Sequence, residues 1–199
     1  NPKKKDTQKD PMIDIDGMTA LLGDEIYYRV DIDATQTNQA YKVWRLGMTD
    51  DYDDSYLKLD ASKVEITDET GKDVTARFNI QDKDGVLYAY AKTVDTEVPA
   101  TGETVKGDPQ PTDLKAYSES DEHDPLTQPS IDQTLLGHTY TVTMPMTVIK
   151  VTDGYVVRNK ATQVLNKVRK DTNEVTNPLK PRFSTFACIC FFCLHGDSN

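Results

Sequence analysis

Short segments in which apolar and polar residues alternate strictly are the feature that most limits what this chain can become. In EIYYRVDI, Ile26, Tyr28, Val30 and Ile32 share one parity, and Tyr27, Arg29 and Asp31 share the other. A period of two predicts a half-buried β-strand, because successive side chains on extended backbone point to opposite faces. The same pattern predicts inward rows of Val74, Ala76, Phe78 and Ile80, and of Tyr140, Val142, Met144 and Met146. Val64 and Ile66 suggest a further short strand, and Lys83-Asp84-Gly85 reads as a hairpin turn into VLYAYAK. Pro145 predicts an edge position or a bulge for its strand, since proline cannot donate to a ladder. Val151 to Gly154 reads as a hairpin turn, and Val168 and Val175 as anchors of the polar stretch that follows.

Two strands carry a misfit. In GYVVRNKATQ, Asn159 shares its parity with Tyr155, Val157, Ala161 and Gln163, while Arg158 and Lys160 face the other way. In WRLGMTDDYDD, Asp50 ends a row formed by Trp44, Leu46 and Met48. An amide or a carboxyl on an apolar face is costly unless something partners it. One account is ordinary: Asn159 bonds to backbone and Asp50 caps a turn.

Composition narrows the classes. At 199 residues the chain is long enough for one large all-β domain or two small ones. Its net charge of -10 argues against nucleic acid as a partner. There is no run of roughly 20 apolar residues, so no membrane-inserting helix is expected in these residues. Residues 95–129, rich in proline and acidic turns, should wrap a surface, and His123 within them is expected to be solvated. The polar residues 33–41 suggest a loop or a single helical turn.

Cysteine is confined to FACICFFCLH, where Cys188, Cys190, Cys193 and His195 could in principle hold zinc. The string lacks a second knuckle and differs in composition from everything upstream, so 182–199 is expected to be a non-native or disordered tail. Asp50, Asp51, Asp53 and Asp54 invite a calcium reading, but they lack EF-hand spacing, and a surface acidic turn is the default. No nucleophile elbow, phosphate loop or zinc-protease motif is present.

The misfit residues could instead react once, with each other. A desolvated lysine amine near the first strand becomes a nucleophile. Asn159 offers a carboxamide carbon, and a protonated Asp50 could polarise its oxygen and shuttle protons. The products would be a side-chain amide and ammonia.

Several segments together resemble the carboxyl-terminal isopeptide-forming domains of streptococcal antigen I/II surface adhesins and their Gram-positive relatives. They are NPKK at the start, I-Y-Y at 26–28, DDY at 50–52, V-x-I-T-D-x-x-G-x-x-V from Val64 to Val74, the Asn159 strand and TNEVTNP, and they span residues 1–181. The resemblance implies a cross-link between a first-strand lysine and a late asparagine, catalysed by the DDY aspartate: Lys4, Asn159 and Asp50. The family's NPKKDV reads NPKKKD here. Lys4 matches by distance from Pro2 and Lys5 by distance from Asp6, with Lys4 preferred.

The expected fold is therefore all-β: an immunoglobulin-like β-sandwich over residues 1–181, with long crossover loops and an isopeptide staple. The expected role is a structural or adhesive module of a Gram-positive cell-wall-anchored adhesin, extracellular and not an enzyme beyond its single self-reaction. Neighbouring repeats of the same surface protein are the first expected partners, the echo of Asn1-Pro2 in Asn177-Pro178 pointing to a tandem array. Host or bacterial surface proteins or glycans are the others. No cofactor is required; the resemblance allows calcium, without assigning a ligand. The alternatives are a carbohydrate- or protein-binding module, with Tyr52, Tyr56 and Tyr117 as platforms, and, behind it, a secreted hydrolase.

Overall fold

The structure, a computed structural model, describes residues 2–9, 12–35, 43–108 and 122–182. The strands of the first half are β1 (Lys4–Thr7), β2 (Ala20–Leu21), β3 (Glu25–Asp33), β4 (Leu46–Asp51), β5 (Leu57–Leu59), β6 (Glu65–Asp68), β7 (Phe78–Lys83) and β8 (Val86–Ala91). They continue as β9 (Thr93–Val94), β10 (Thr96–Glu97), β11 (Thr104–Val105), β12 (Ser130–Ile131) and β13 (Thr139–Val148). The last are β14 (Val156–Asn159), β15 (Ala161–Leu165), β16 (Val168–Asp171) and β17 (Val175–Lys180).

The expected all-β sandwich is what these strands build. One sheet runs β1-β3-β13, with both β5 and β6 on the far edge of β13; a second runs β16-β15-β4-β8-β7. A three-stranded sheet, β14-β17-β2, closes the region between them, and β9 to β12 form two small ribbons. The alternating rows explain the packing. Ile26, Tyr28, Val30 and Ile32 of β3 and Tyr140, Val142, Met144 and Met146 of β13 enter one core with Leu46 and Met48 of β4 and Leu87 and Ala89 of β8. Asp84 and Gly85 both take positive φ, 52° and 76°, which gives the β7–β8 hairpin the twist its strands need.

Four local expectations are corrected. Ala76 is exposed, because the Val74 row is broken by a 3-10 turn at Thr75–Arg77. Pro145 sits in a central strand, at the gap between β5, which ends opposite Met146, and β6, which begins opposite Thr143. Its carbonyl faces that gap, accepting from the Asp60 N–H at 3.4 Å, so its missing N–H costs no ladder bond. Residues 151–154 do form a turn, but β13 and β14 lie in different sheets, so it is an inter-sheet crossover. Val168 is 51% exposed on edge strand β16, whereas Val175 is buried.

Gly47 holds the middle of the second sheet. A Cβ there would stand 2.1 Å from the Ala89 carbonyl oxygen and 2.8 Å from the Tyr90 Cα, both backbone atoms of the paired strand. Gly47→Ala should therefore cost about 3 kcal/mol through overpacking, read as a lower denaturation midpoint. An unchanged midpoint would mean β4 and β8 do not approach this closely.

Candidate functional site

Lys4 enters the core from β1. Its register partner is Val30, which places its side chain in the inward row, while Lys3 and Lys5 are exposed. The Lys4 side chain is 0% exposed. Its Nζ meets Asp50 Oδ2 and lies 5.0 Å from the centre of the Tyr28 ring. A lysine so placed has left water entirely, and one carboxyl group is its main compensation.

Asp50 arrives from the second sheet. It is the last inward residue of β4, paired with Leu87 on one side and Ala161 on the other. Two positions before Ala161 stands Asn159, the last residue of β14, opposite Val175. Only Lys160 separates β14 from β15, and there the chain passes from the three-stranded sheet into the second sheet with its in-out parity intact. That crossing brings Asn159 to the Asp50 end of the core. Asn159 is 1% exposed, and neither its amide nitrogen nor its oxygen has a hydrogen-bond partner. Asp50 Oδ1 is likewise buried and unbonded. The ordinary account, with Asn159 tied to backbone, does not describe this residue.

Burial dominates the ionisation of the pair. It pushes the Asp50 carboxyl up, with Lys4 and, less, the nearby Asn159 pulling it back. It pushes the Lys4 amine down, with Asp50 and then Asp6 opposing. Both shifts move the pair away from an ion pair and toward a neutral amine beside a protonated acid. Such an amine has a free lone pair, and such an acid can donate a hydrogen bond.

Sequence reasoning missed two groups beside this site. Asp6, of the same parity as Lys4, is 0% exposed, and burial raises its carboxyl to about 6, with Asn177 offsetting part of the rise. Asn177, fully buried on β17, donates to the Ile15 and Met18 carbonyls and accepts from the Tyr28 hydroxyl at 3.4 Å. Counting parity from Lys4 and from Val175 would have found both. The second group is Asn173, which bonds the backbone of Lys4 through both ends of its carboxamide.

Other candidate residues have ordinary places. His123 is half-buried and stacks on Trp44, ring centres 4.5 Å apart, which corrects the expectation of a solvated residue. Tyr52 is buried with its hydroxyl on Asp82, and Tyr56 stacks on Tyr155, whose hydroxyl donates to Asp53. These two tyrosine rings are therefore engaged in packing. Among the described residues no three His, Cys, Asp or Glu side chains are grouped to hold a metal ion, and no helix is long and apolar enough to cross a membrane. Residues 36–42, Tyr117, Cys188, Cys190, Cys193 and His195 lie outside the described residues.

The sequence profile of the cell surface antigen I/II C2 terminal domain matches residues 2–179. The chain belongs to that family. Solved structures agree on the fold. The C-terminal domain of the Streptococcus agalactiae AgI/II polypeptide BspA superposes with a TM-score of 0.58 at 12% identity, covering 89% of this chain and 49% of that one. The C-terminal domain of the Streptococcus pyogenes antigen I/II-family protein AspA gives 0.60 at 14% identity, with 89% and 46% covered. BcpA, the major pilin subunit of Bacillus cereus, gives 0.53 at 12% identity, with 91% and 40% covered. The chain thus spans about half the length of the antigen I/II structures it matches. No curated protein sequence matches it. Membership of that family makes the chain a terminal domain of the cell-surface antigen I/II kind.

Proposed function

We propose that this domain is a stalk module of a Gram-positive cell-wall-anchored adhesin, stabilised by an isopeptide bond that Lys4 and Asn159 form under catalysis by Asp50. The observation that supports it most is the burial of these three polar side chains in one apolar core, with the Asn159 carboxamide bonded to nothing. A core that only needed to be stable would place apolar groups there.

The chemistry follows from the neutral pair. The Lys4 amine adds its lone pair to the Asn159 Cγ while the Asp50 acid hydrogen-bonds the carboxamide oxygen and stabilises the charge that develops there. Asp50 then relays a proton from the former amine to Nδ2, the Cγ–Nδ2 bond breaks, and ammonia leaves. One N–C bond forms and one breaks, no oxidant or cofactor is needed, and Asp50 returns to its starting state.

The consequence is mechanical. With residue 4 joined to residue 159, tension applied at the two ends of residues 1–181 runs through the link, and the chain between them is never extended. That suits a module that carries load between neighbouring repeats of an extracellular surface protein, with binding to host or bacterial surfaces resting on this module or on others. Tandem mass spectrometry of a digest tests the link: it should yield one branched peptide joining the Lys4 and Asn159 segments. Recovery of both segments only as linear peptides would refute it.

A further inference from the structure

We infer that Asn173 selects which lysine reacts, by fixing the register of β1; the inference rests on the cross-linking reading above. The chain presents three consecutive lysines, Lys3, Lys4 and Lys5, at the start of a strand of only four residues. On a strand, a slip of one residue exchanges the two faces. Such a slip would turn Lys4 and Asp6 outward and bring Lys3 and Lys5 in. Pairing with β3 resists this weakly, because a backbone ladder on one side accepts any lysine equally.

Asn173 supplies a marker on the other side of β1. The Lys4 N–H donates to Asn173 Oδ1 at 2.9 Å, and Asn173 Nδ2 donates to the Lys4 carbonyl at 2.9 Å. One carboxamide thus offers Lys4 both backbone bonds that a facing strand residue would offer, and it offers them to that residue alone. Asn173 is itself exposed, so burial does not explain its position.

The clamp is tied to the other half of the site. Thr172, its neighbour, donates its N–H to the Ala161 carbonyl at 2.9 Å, and its hydroxyl accepts from the Ala161 N–H at 3.1 Å. Ala161 is the register partner of Asp50 and lies two residues past Asn159. Thr172 and Asn173, in the three-residue connection between β16 and β17, therefore reference the backbone of the nucleophile to the first residue of β15, two positions past its target. Asn173 touches neither reacting atom. It is a positioning residue, distinct from the catalytic Asp50.

The test is peptide mapping of freshly purified wild type, Asn173→Ala and Asn173→Asp, with intact mass followed from the end of synthesis. Wild type should link through Lys4 alone. Asn173→Ala should link on the order of tenfold to a hundredfold more slowly, as misplaced reacting groups do, and should carry a share of its links on Lys3 or Lys5. Asn173→Asp, which keeps the acceptor for the Lys4 N–H and loses the donor, should fall between. A residue that merely stabilised the fold would lower the melting point without moving the link to another lysine.

The pair Lys4→Ala and Lys4→Ala/Asn173→Ala gives a second reading if the single variant folds poorly. The first should stay unlinked, and the second should link through Lys3 or Lys5. Wild-type rate and sole use of Lys4 in Asn173→Ala, or no link in the double variant, would overturn the inference. An unlinked wild type would instead overturn the cross-linking reading on which it stands.

Discussion

Asn159→Ala should fold, keep its full calculated mass and melt about 10–20 °C below the wild type. The size follows from the loop that the link closes. Joining residue 4 to residue 159 removes denatured-state entropy worth roughly 5 kcal/mol on the scale established for disulfides, and a domain of this length loses about 2–4 °C per kcal/mol. Removing the carboxamide itself should cost little, since Asn159 makes no hydrogen bond that its loss would break. The reaction would be lost with the electrophilic carbon, and the stability with the reaction. Differential scanning calorimetry beside intact mass checks both halves. A variant that melts with the wild type would show that the link, if formed, does not hold the fold together.

Asp50→Ala should be hit harder still. It removes the proposed acid and also the carboxyl group that the Lys4 amine meets, both side chains being 0% exposed. Deleting one partner of a buried hydrogen-bonded pair typically costs about 1–3 kcal/mol, because the other is left desolvated and unsatisfied. Here that adds to the lost link. The variant should be unlinked and should melt below Asn159→Ala. Asp50→Asn, which keeps a hydrogen-bonding group beside Lys4, should recover part of the stability and none of the link. Full cross-linking in Asp50→Ala would remove Asp50 from the mechanism.

Much of this architecture is legible in residue parity. The β3 and β13 rows are buried as their alternation requires, because a sandwich core demands period two from both sheets. Asn159 and Asp50 stand out for the same reason: a polar residue on an apolar parity is visible before any coordinates. Tertiary context is what parity does not carry. Pro145 reads as an edge residue, yet sits in a central strand because β5 and β6 leave a gap beside it. Ala76 fits the alternation and is exposed, since a 3-10 turn breaks the strand that parity assumes. His123 reads as solvated because its stacking partner, Trp44, is far away in sequence.

The lysine register is the sharpest case. Lys3, Lys4 and Lys5 are identical side chains, so no pattern of residue types can tell them apart. What separates them is backbone: Lys4 faces Val30 in the ladder and meets the Asn173 carboxamide on its open edge. Asp6 and Asn177 escaped for a different reason. Each lies in a proline- or charge-rich segment where no alternating apolar row marks the inward face, yet both are at 0% exposure.

Intact mass of the folded wild-type protein tests the central claim most directly. Joining Lys4 to Asn159 expels one ammonia, so the protein should weigh about 17 Da less than its sequence mass. The deficit should persist in Lys3→Ala, whose side chain faces solvent, and vanish in Lys4→Ala, Asn159→Ala and Asp50→Ala. A folded wild type at its full calculated mass would contradict the account, and would leave Lys4, Asp50 and Asn159 as a buried polar cluster that never reacts.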